Sequence, residues 1–238
     1  MRKTYGVLGG ALIAFAVLTA GVMRFATDAS LRYWAWFYGY RGHGIPPTMW
    51  HALLVGALFV AVCLVGQRLA QSQTSRGVQY LGLAVGVVAY AALLVPLLWT
   101  AILGFGNPAM LEEGVLLSGQ AASILGQAII VTLAIFLGLT LTVFITRKDF
   151  SFLRGALMLG TFAIVGVALA SWVFGFSVGA LYFGAGILLM SGFILYQTSA
   201  IMSAFPPSAY VAAALMLFGT VATLFIYVLQ LVMSLNRR

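Results

Sequence analysis

The sequence predicts an all-α integral membrane protein with about seven transmembrane helices. Three observations carry that expectation. Hydrophobic residues make up 63% of the 238-residue chain and charged ones only 7%. A soluble domain of that composition could not cover its surface with polar groups. Seven apolar runs, each near the roughly 20 residues a span needs, are separated by short gaps that hold the charges. From Gly155 to Asn236 there is no charged residue at all.

The runs cover 5–23, 49–66, 80–103, 114–145, 155–174, 176–196 and 210–233. The first follows Arg2 and Lys3, and no small-residue cleavage site ends it, so it reads as a retained span rather than a leader. The third contains Pro96 past its middle, which predicts a kink. The fourth is longer than a span requires, which predicts tilt or a start outside the hydrocarbon. The charge-free stretch must be divided by turn chemistry alone. Phe174-Gly175-Phe176-Ser177 supplies one division, and Phe205-Pro206-Pro207-Ser208 the other, since a proline pair ends a helix. Glycine pairs 6/10, 82/86 and 175/179 have the spacing that lets helices approach closely in lipid. The whole of 1–238 reads as one membrane domain, with 28–50 an aromatic-rich insertion, extramembrane or interfacial, between spans one and two.

With seven spans the gaps alternate sides. One side receives Arg2, Lys3, Arg68, Arg76, Arg147, Lys148 and Arg154; the other receives Arg24, Arg32, Arg41, Arg237 and Arg238. The richer side is expected in the cytoplasm. That places the N-terminus inside and the C-terminus outside. The net charge of +8 fits topology control and anionic headgroups. No basic run or zinc-finger spacing accompanies it, so nucleic acid is not an expected partner. Cys63 is the single cysteine, and it reads as a small apolar side chain.

Chemistry is constrained by an absence. No Asp, Glu, Lys, Arg or His falls in the middle of a predicted span. Proton and ion relays usually rely on such groups, and intramembrane hydrolysis needs paired acids, a Ser–His pair or a metal. The chain is therefore not expected to be an enzyme. No haem pair, metal site or other cofactor is expected; His43 and His51 lack further ligands. Glu112 and Glu113 suit a helix N-terminus, with a cation-attracting vestibule as the alternative.

Two polar constellations remain. Gln120, Ser123 and Gln127 recur at i, i+3, i+7 on one face of the fourth span, where they serve as interhelical glue or line a polar cavity. Gln197 and Thr198, with Thr220, Thr223 and Gln230 on the last span, could meet that face. The second constellation is Tyr33, Trp34, Trp36, Phe37, Tyr38, Tyr40 and Arg41. Aromatics beside arginines suit an interfacial half-helix at headgroup level. They also suit a docking surface for another membrane protein.

Several segments resemble the transmembrane Bax-inhibitor family in its bacterial YccA-like branch. Arg2-Lys3-Thr4-Tyr5-Gly6-Val7-Leu8 resembles the family's entry to its first span. Thr146-Arg147-Lys148-Asp149-Phe150-Ser151-Phe152-Leu153 resembles its basic loop before the fifth span. Gly192-Phe193-Ile194-Leu195-Tyr196-Gln197-Thr198-Ser199-Ala200-Ile201 resembles the end of its sixth, and 214–232 its last helix. The resemblance implies a seven-helix bundle with the last helix central, in a bacterial inner membrane, where the outer side given to the C-terminus by the charge count is the periplasm. It also implies either a calcium leak gated by two aspartates on the last two helices, or restraint of the membrane protease FtsH. Gln197 stands at one aspartate position and Thr220 at the other. Neither changes charge near neutral pH, so the proton-switched latch is absent. The resemblance then favours a non-enzymatic protein acting through partner binding, as an accessory subunit of a membrane complex or a modulator of a protease such as FtsH. The alternative is a pH-insensitive calcium or small-ion leak. Expected partners are membrane lipids and another integral membrane protein.

Overall fold

A computed structural model describes residues 2–38, 49–72, 75–107, 115–203 and 205–237. Those residues form helices joined by short loops, with no strand among them. The helices are α1 (Arg2–Phe25), α2 (Thr27–Phe37), α3 (Met49–Ala70), α4 (Arg76–Phe105), α5 (Gly119–Thr146), α6 (Leu153–Phe174), α7 (Ala180–Ser203) and α8 (Tyr210–Asn236), with a 3-10 turn at Pro207–Ala209. Every predicted apolar run is a helix. Six of them are long and apolar enough to cross a membrane, and α3 adds a shorter apolar stretch, Leu54–Ala70. The separate short helix α2 lies in the aromatic segment for which a half-helix was one of the two expectations. Residues 112 and 113, with 40, 41 and 43, lie outside the described residues.

The chain divides into two compact units, 2–122 and 123–238, with the boundary in the first turns of α5. In the first unit α4 is the hub, packed by α1, α2 and α3. One stripe of α1, formed by Thr4, Leu8, Ala11, Phe15, Thr19 and Met23, is buried. Its period is helical, and the outward face is equally apolar, as a lipid-facing helix must be. The α3–α4 turn is closed by side chains. Ser75 Oγ accepts from Val78 N at 3.3 Å, and Gln79 Nε2 donates to the Ser72 carbonyl at 2.8 Å. Just beyond it the two backbones nearly touch. A Cβ built on Gly82 would lie 2.4 Å from Ala70 N and 2.5 Å from Gly66 O. The close approach expected of Gly82 is therefore real, and Gly66 is its counterpart. A Cβ added to Gly6, Gly10, Gly175 or Gly179 would meet nothing within 4 Å among the described residues.

In the second unit α7 packs on α8, and α6 packs on α7. The α7–α8 approach is set by Gly186, where an added Cβ would enter the Tyr227 ring at 2.6 Å. Along α8 the inward stripe includes Val211, Ala214, Leu217, Phe218, Val221, Leu224 and Val228. By contrast, α6 buries little beyond Leu157, while Leu159, Phe162, Val165, Leu169 and Val173 are exposed. Gly175, with φ +71°, ends α6 where the division was expected, and Ser171 Oγ donates to the Phe176 carbonyl at 2.6 Å. Along α5 the buried stripe is Ile124, Ala128, Thr132, Phe136, Thr140 and Val143.

Candidate functional site

The middles of the long apolar helices hold no charged residue, so the sites described are built from neutral polar groups and aromatics. The first is the pair expected from the sequence. Gln197 near the end of α7 and Thr220 in α8 are both buried, each 7% exposed. Thr220 Oγ1 lies 2.9 Å from Gln197 Oε1 and donates to it; the Met216 carbonyl, 3.2 Å away, is its alternative acceptor. Neighbouring Ser199 Oγ donates to the Tyr196 carbonyl and accepts from Phe150 N at 3.3 Å, tying α7 to the α5–α6 loop. Thr198 is fully buried, and its hydroxyl has no partner among the described residues.

A Gln–Thr contact is a fixed hydrogen bond with no protonation equilibrium near neutral pH. Thr220→Val keeps the shape and orphans the glutamine oxygen. We expect a stability loss of about 1–2 kcal/mol, mostly recovered when Gln197→Leu is added. Neither the wild type nor the double variant should show a stability step between mildly acidic and mildly alkaline pH; chemical unfolding in detergent across that range measures both.

Gln120, Ser123 and Gln127 share a face of α5, and Gln127 Nε2 donates to Ser123 Oγ at 3.0 Å. All three are exposed. The inward stripe a few positions away carries Thr132 and Thr140. On α8, Thr223 is half-buried and donates to the Gly219 carbonyl at 2.8 Å. Many hydroxyls do the same: Thr19, Thr142, Thr146, Thr161, Ser191 and Ser203 each donate to the carbonyl four residues back. A hydroxyl satisfied within its own helix can face lipid at little cost.

The second site is α2 and what holds it. Only Ala26 separates α1 from α2, and Ser30 N still donates to the Ala26 carbonyl. The new helix lies against α4 around Pro96. Proline has no N–H to give to the Ala92 carbonyl one turn earlier. Tyr33 OH donates to that carbonyl at 2.9 Å. Thr100 Oγ1 donates to the Pro96 carbonyl at 3.0 Å and accepts from Trp34 Nε1 at 3.2 Å. Buried Trp99 closes the set, donating from Nε1 to Ser30 Oγ at 3.0 Å. The proline-interrupted stretch of α4 is thus re-bonded from a neighbouring helix, as lipid demands.

The polar ends of Tyr33 and Trp34 are committed to α4. Trp36 is the outward member, 46% exposed and stacked on Tyr33 at 5.9 Å between ring centres. Phe37 and Tyr38 are half-buried and meet edge to face at 5.3 Å. Beside Trp36 an apolar groove of about 220 Å³ opens between α2, α3 and α4, with Phe37, Leu58, Phe59, Val62 and Val88 among its walls. No triad of His, Cys, Asp or Glu that could hold a metal occurs among the described residues.

Comparison with known proteins agrees with this architecture. A family model described as inhibitor of apoptosis-promoting Bax1 matches residues 1–238. An uncharacterized protein of Pseudomonas aeruginosa is 39% identical over 113 residues, 47% of this chain and 50% of that one. Mouse protein lifeguard 4 is 30% identical over 113 residues, 47% of this chain and 48% of its own. Bax inhibitor 1 of Schizosaccharomyces pombe is 29% identical over 126 residues, 51% and 46%. The alignments therefore span about half the length of these curated relatives. No solved structure matches the chain.

Proposed function

Because this chain belongs to the Bax-inhibitor family of multi-pass membrane proteins, we propose that it works without catalysis, by binding another integral membrane protein. Its role is that of an accessory subunit of a membrane complex or a modulator of a membrane protease such as FtsH, in a bacterial inner membrane with the N-terminus in the cytoplasm. The mounting of α2 carries this reading. Three hydrogen bonds fix its inner face to α4, while Trp36 presents its ring beside an apolar groove. A rigid aromatic anchor next to a recess is the arrangement in which interface energy concentrates, since little side-chain entropy remains to be lost.

The test is affinity isolation from native membranes in mild detergent. A membrane protein should be recovered with the wild type and depleted several-fold by Trp36→Ala. Trp36 also stacks on Tyr33, so the stability of the Trp36→Ala chain is measured alongside, and partner loss from a chain that still folds is the supporting result. Recovery of the wild type solely as a free monomer overturns the reading, and so does a partner indifferent to Trp36.

A second reading, a calcium or small-ion leak without pH control, draws on the second unit. Buried Thr132, Thr140 and Thr198 hydroxyls without partners among the described residues offer neutral oxygens of the kind that can line a pore. The neutral Gln197–Thr220 contact would make such a leak insensitive to pH. Calcium flux into liposomes decides: none at any pH ends it, and flux that titrates near neutrality contradicts the neutral latch.

A further inference from the structure

The α5–α6 loop is the most strongly charged described segment, and neither reading above uses its charges. Four consecutive residues, Arg147, Lys148, Asp149 and Phe150, join α5 to the turn that starts α6, and Arg154 follows in the first turn of α6. The loop connects two long apolar helices, so it lies at the membrane–water boundary. Arg147, Lys148 and Arg154 are all exposed, and their side chains have no ion-pair or hydrogen-bond partner among the described residues. The one carboxylate nearby is occupied. Asp149 accepts from Ser151 N at 2.8 Å and from Ser151 Oγ at 2.9 Å, which shapes the loop and leaves the three cations uncompensated by contact.

The backbone supplies an independent observation. Arg147 N donates to the Val143 carbonyl, ending α5, and Arg147 then takes φ +50°. It is the one described non-glycine residue with positive φ. Helices often end on a left-handed residue, and glycine is the inexpensive choice there. Arginine at this position costs about 1 kcal/mol. That cost goes uncompensated within the chain, since its guanidinium bonds to no described group. Phe152, 75% exposed and 6.3 Å from the Phe150 ring centre, places an aromatic at the same level, where bilayer interfaces favour such rings.

We propose that the α5–α6 loop is a binding surface for anionic phospholipid headgroups. Arg147, Lys148 and Arg154 neutralise the lipid phosphate and Phe152 inserts beside the acyl–headgroup boundary. The occupant is a membrane lipid and not free phosphate, because the loop sits where lipid headgroups are concentrated and the exposed ring requires an apolar neighbour.

The test uses the full chain in nanodiscs of phosphatidylcholine alone or mixed with phosphatidylglycerol. Thermal unfolding gives stability, and native mass spectrometry gives the retained lipid. The wild type should unfold at higher temperature in the mixed discs and retain phosphatidylglycerol. Arg147→Gly is the decisive variant. It should be as stable as the wild type or more so in phosphatidylcholine, because glycine suits the backbone, yet hold phosphatidylglycerol less well, on the order of fivefold for one interfacial charge. Asp149→Asn keeps a carbonyl acceptor for Ser151 N and removes the negative charge, so phosphatidylglycerol retention should rise. Inorganic phosphate added to phosphatidylcholine discs should shift nothing. The proposal is overturned if Arg147→Gly leaves retention unchanged, if Arg68→Gln reduces it equally, or if free phosphate reproduces the shift.

Discussion

Gly82→Ala will push α3 and α4 apart and cost the first unit about 3 kcal/mol or more, the upper range for overpacking. The added methyl meets Ala70 N at 2.4 Å, Gly66 O at 2.5 Å and the Leu69 carbonyl carbon at 2.9 Å. All three are backbone atoms, so no rotamer change makes room. Relief requires translation of one helix away from the other, which also strains the short turn held by Ser75 and Gln79. Gly56→Ala on the exposed part of α3 meets nothing within 4 Å, and there alanine should be neutral or stabilise by up to about 1 kcal/mol. Unfolding of both variants in a denaturing-detergent titration measures the contrast. Equal behaviour of the two would show that the helices are not in backbone contact.

Tyr33→Phe carries the other large effect. It deletes the donor to the Ala92 carbonyl, which Pro96 cannot supply. Leaving an acceptor unpaired costs about 1–3 kcal/mol. Pro96→Ala returns an N–H to that carbonyl and removes the need for the tyrosine. Tyr33→Phe should therefore cost much less in the Pro96→Ala background than alone, with a coupling of at least about 1 kcal/mol in a double-mutant cycle. Thermal unfolding of the four proteins in one detergent gives the cycle. Additive losses would mean that the hydroxyl stabilises α2 by some route other than the proline gap.

The helices were legible because lipid imposes a length and an apolarity that few soluble segments share. The Gly175 and Pro206 divisions were legible because each uses a backbone preference that needs no partner. What a helix faces was not legible in the same way. Gln120, Ser123 and Gln127 share a face by periodicity, but in a bilayer both lipid and protein interior are apolar, so pattern alone gives no direction. Hydroxyls that bond four residues back, as Thr142 and Thr161 do, weaken the signal further. The role of Tyr33 and Trp34 was hidden for another reason. Their acceptors, Ala92 and Thr100, are 59 and 66 residues away, and one of them is a main-chain oxygen that no side-chain pattern announces. The Gln197–Thr220 contact was reached through family resemblance, since two neutral residues on adjacent helices are unremarkable by themselves.

The outward faces of α6 have a consequence for how the gene can change. Leu159, Phe162, Val165, Leu169 and Val173 touch little protein, so selection there acts on transfer into hydrocarbon and hardly on shape. Leucine, isoleucine, valine and phenylalanine are close to interchangeable by that criterion. Most of α6 is therefore specified as a composition, free to drift in order. The residues fixed as individuals are those at its ends, Leu157, which fills the space beside Gly192 of α7, and Gly160, where an added Cβ would meet Leu189 of α7.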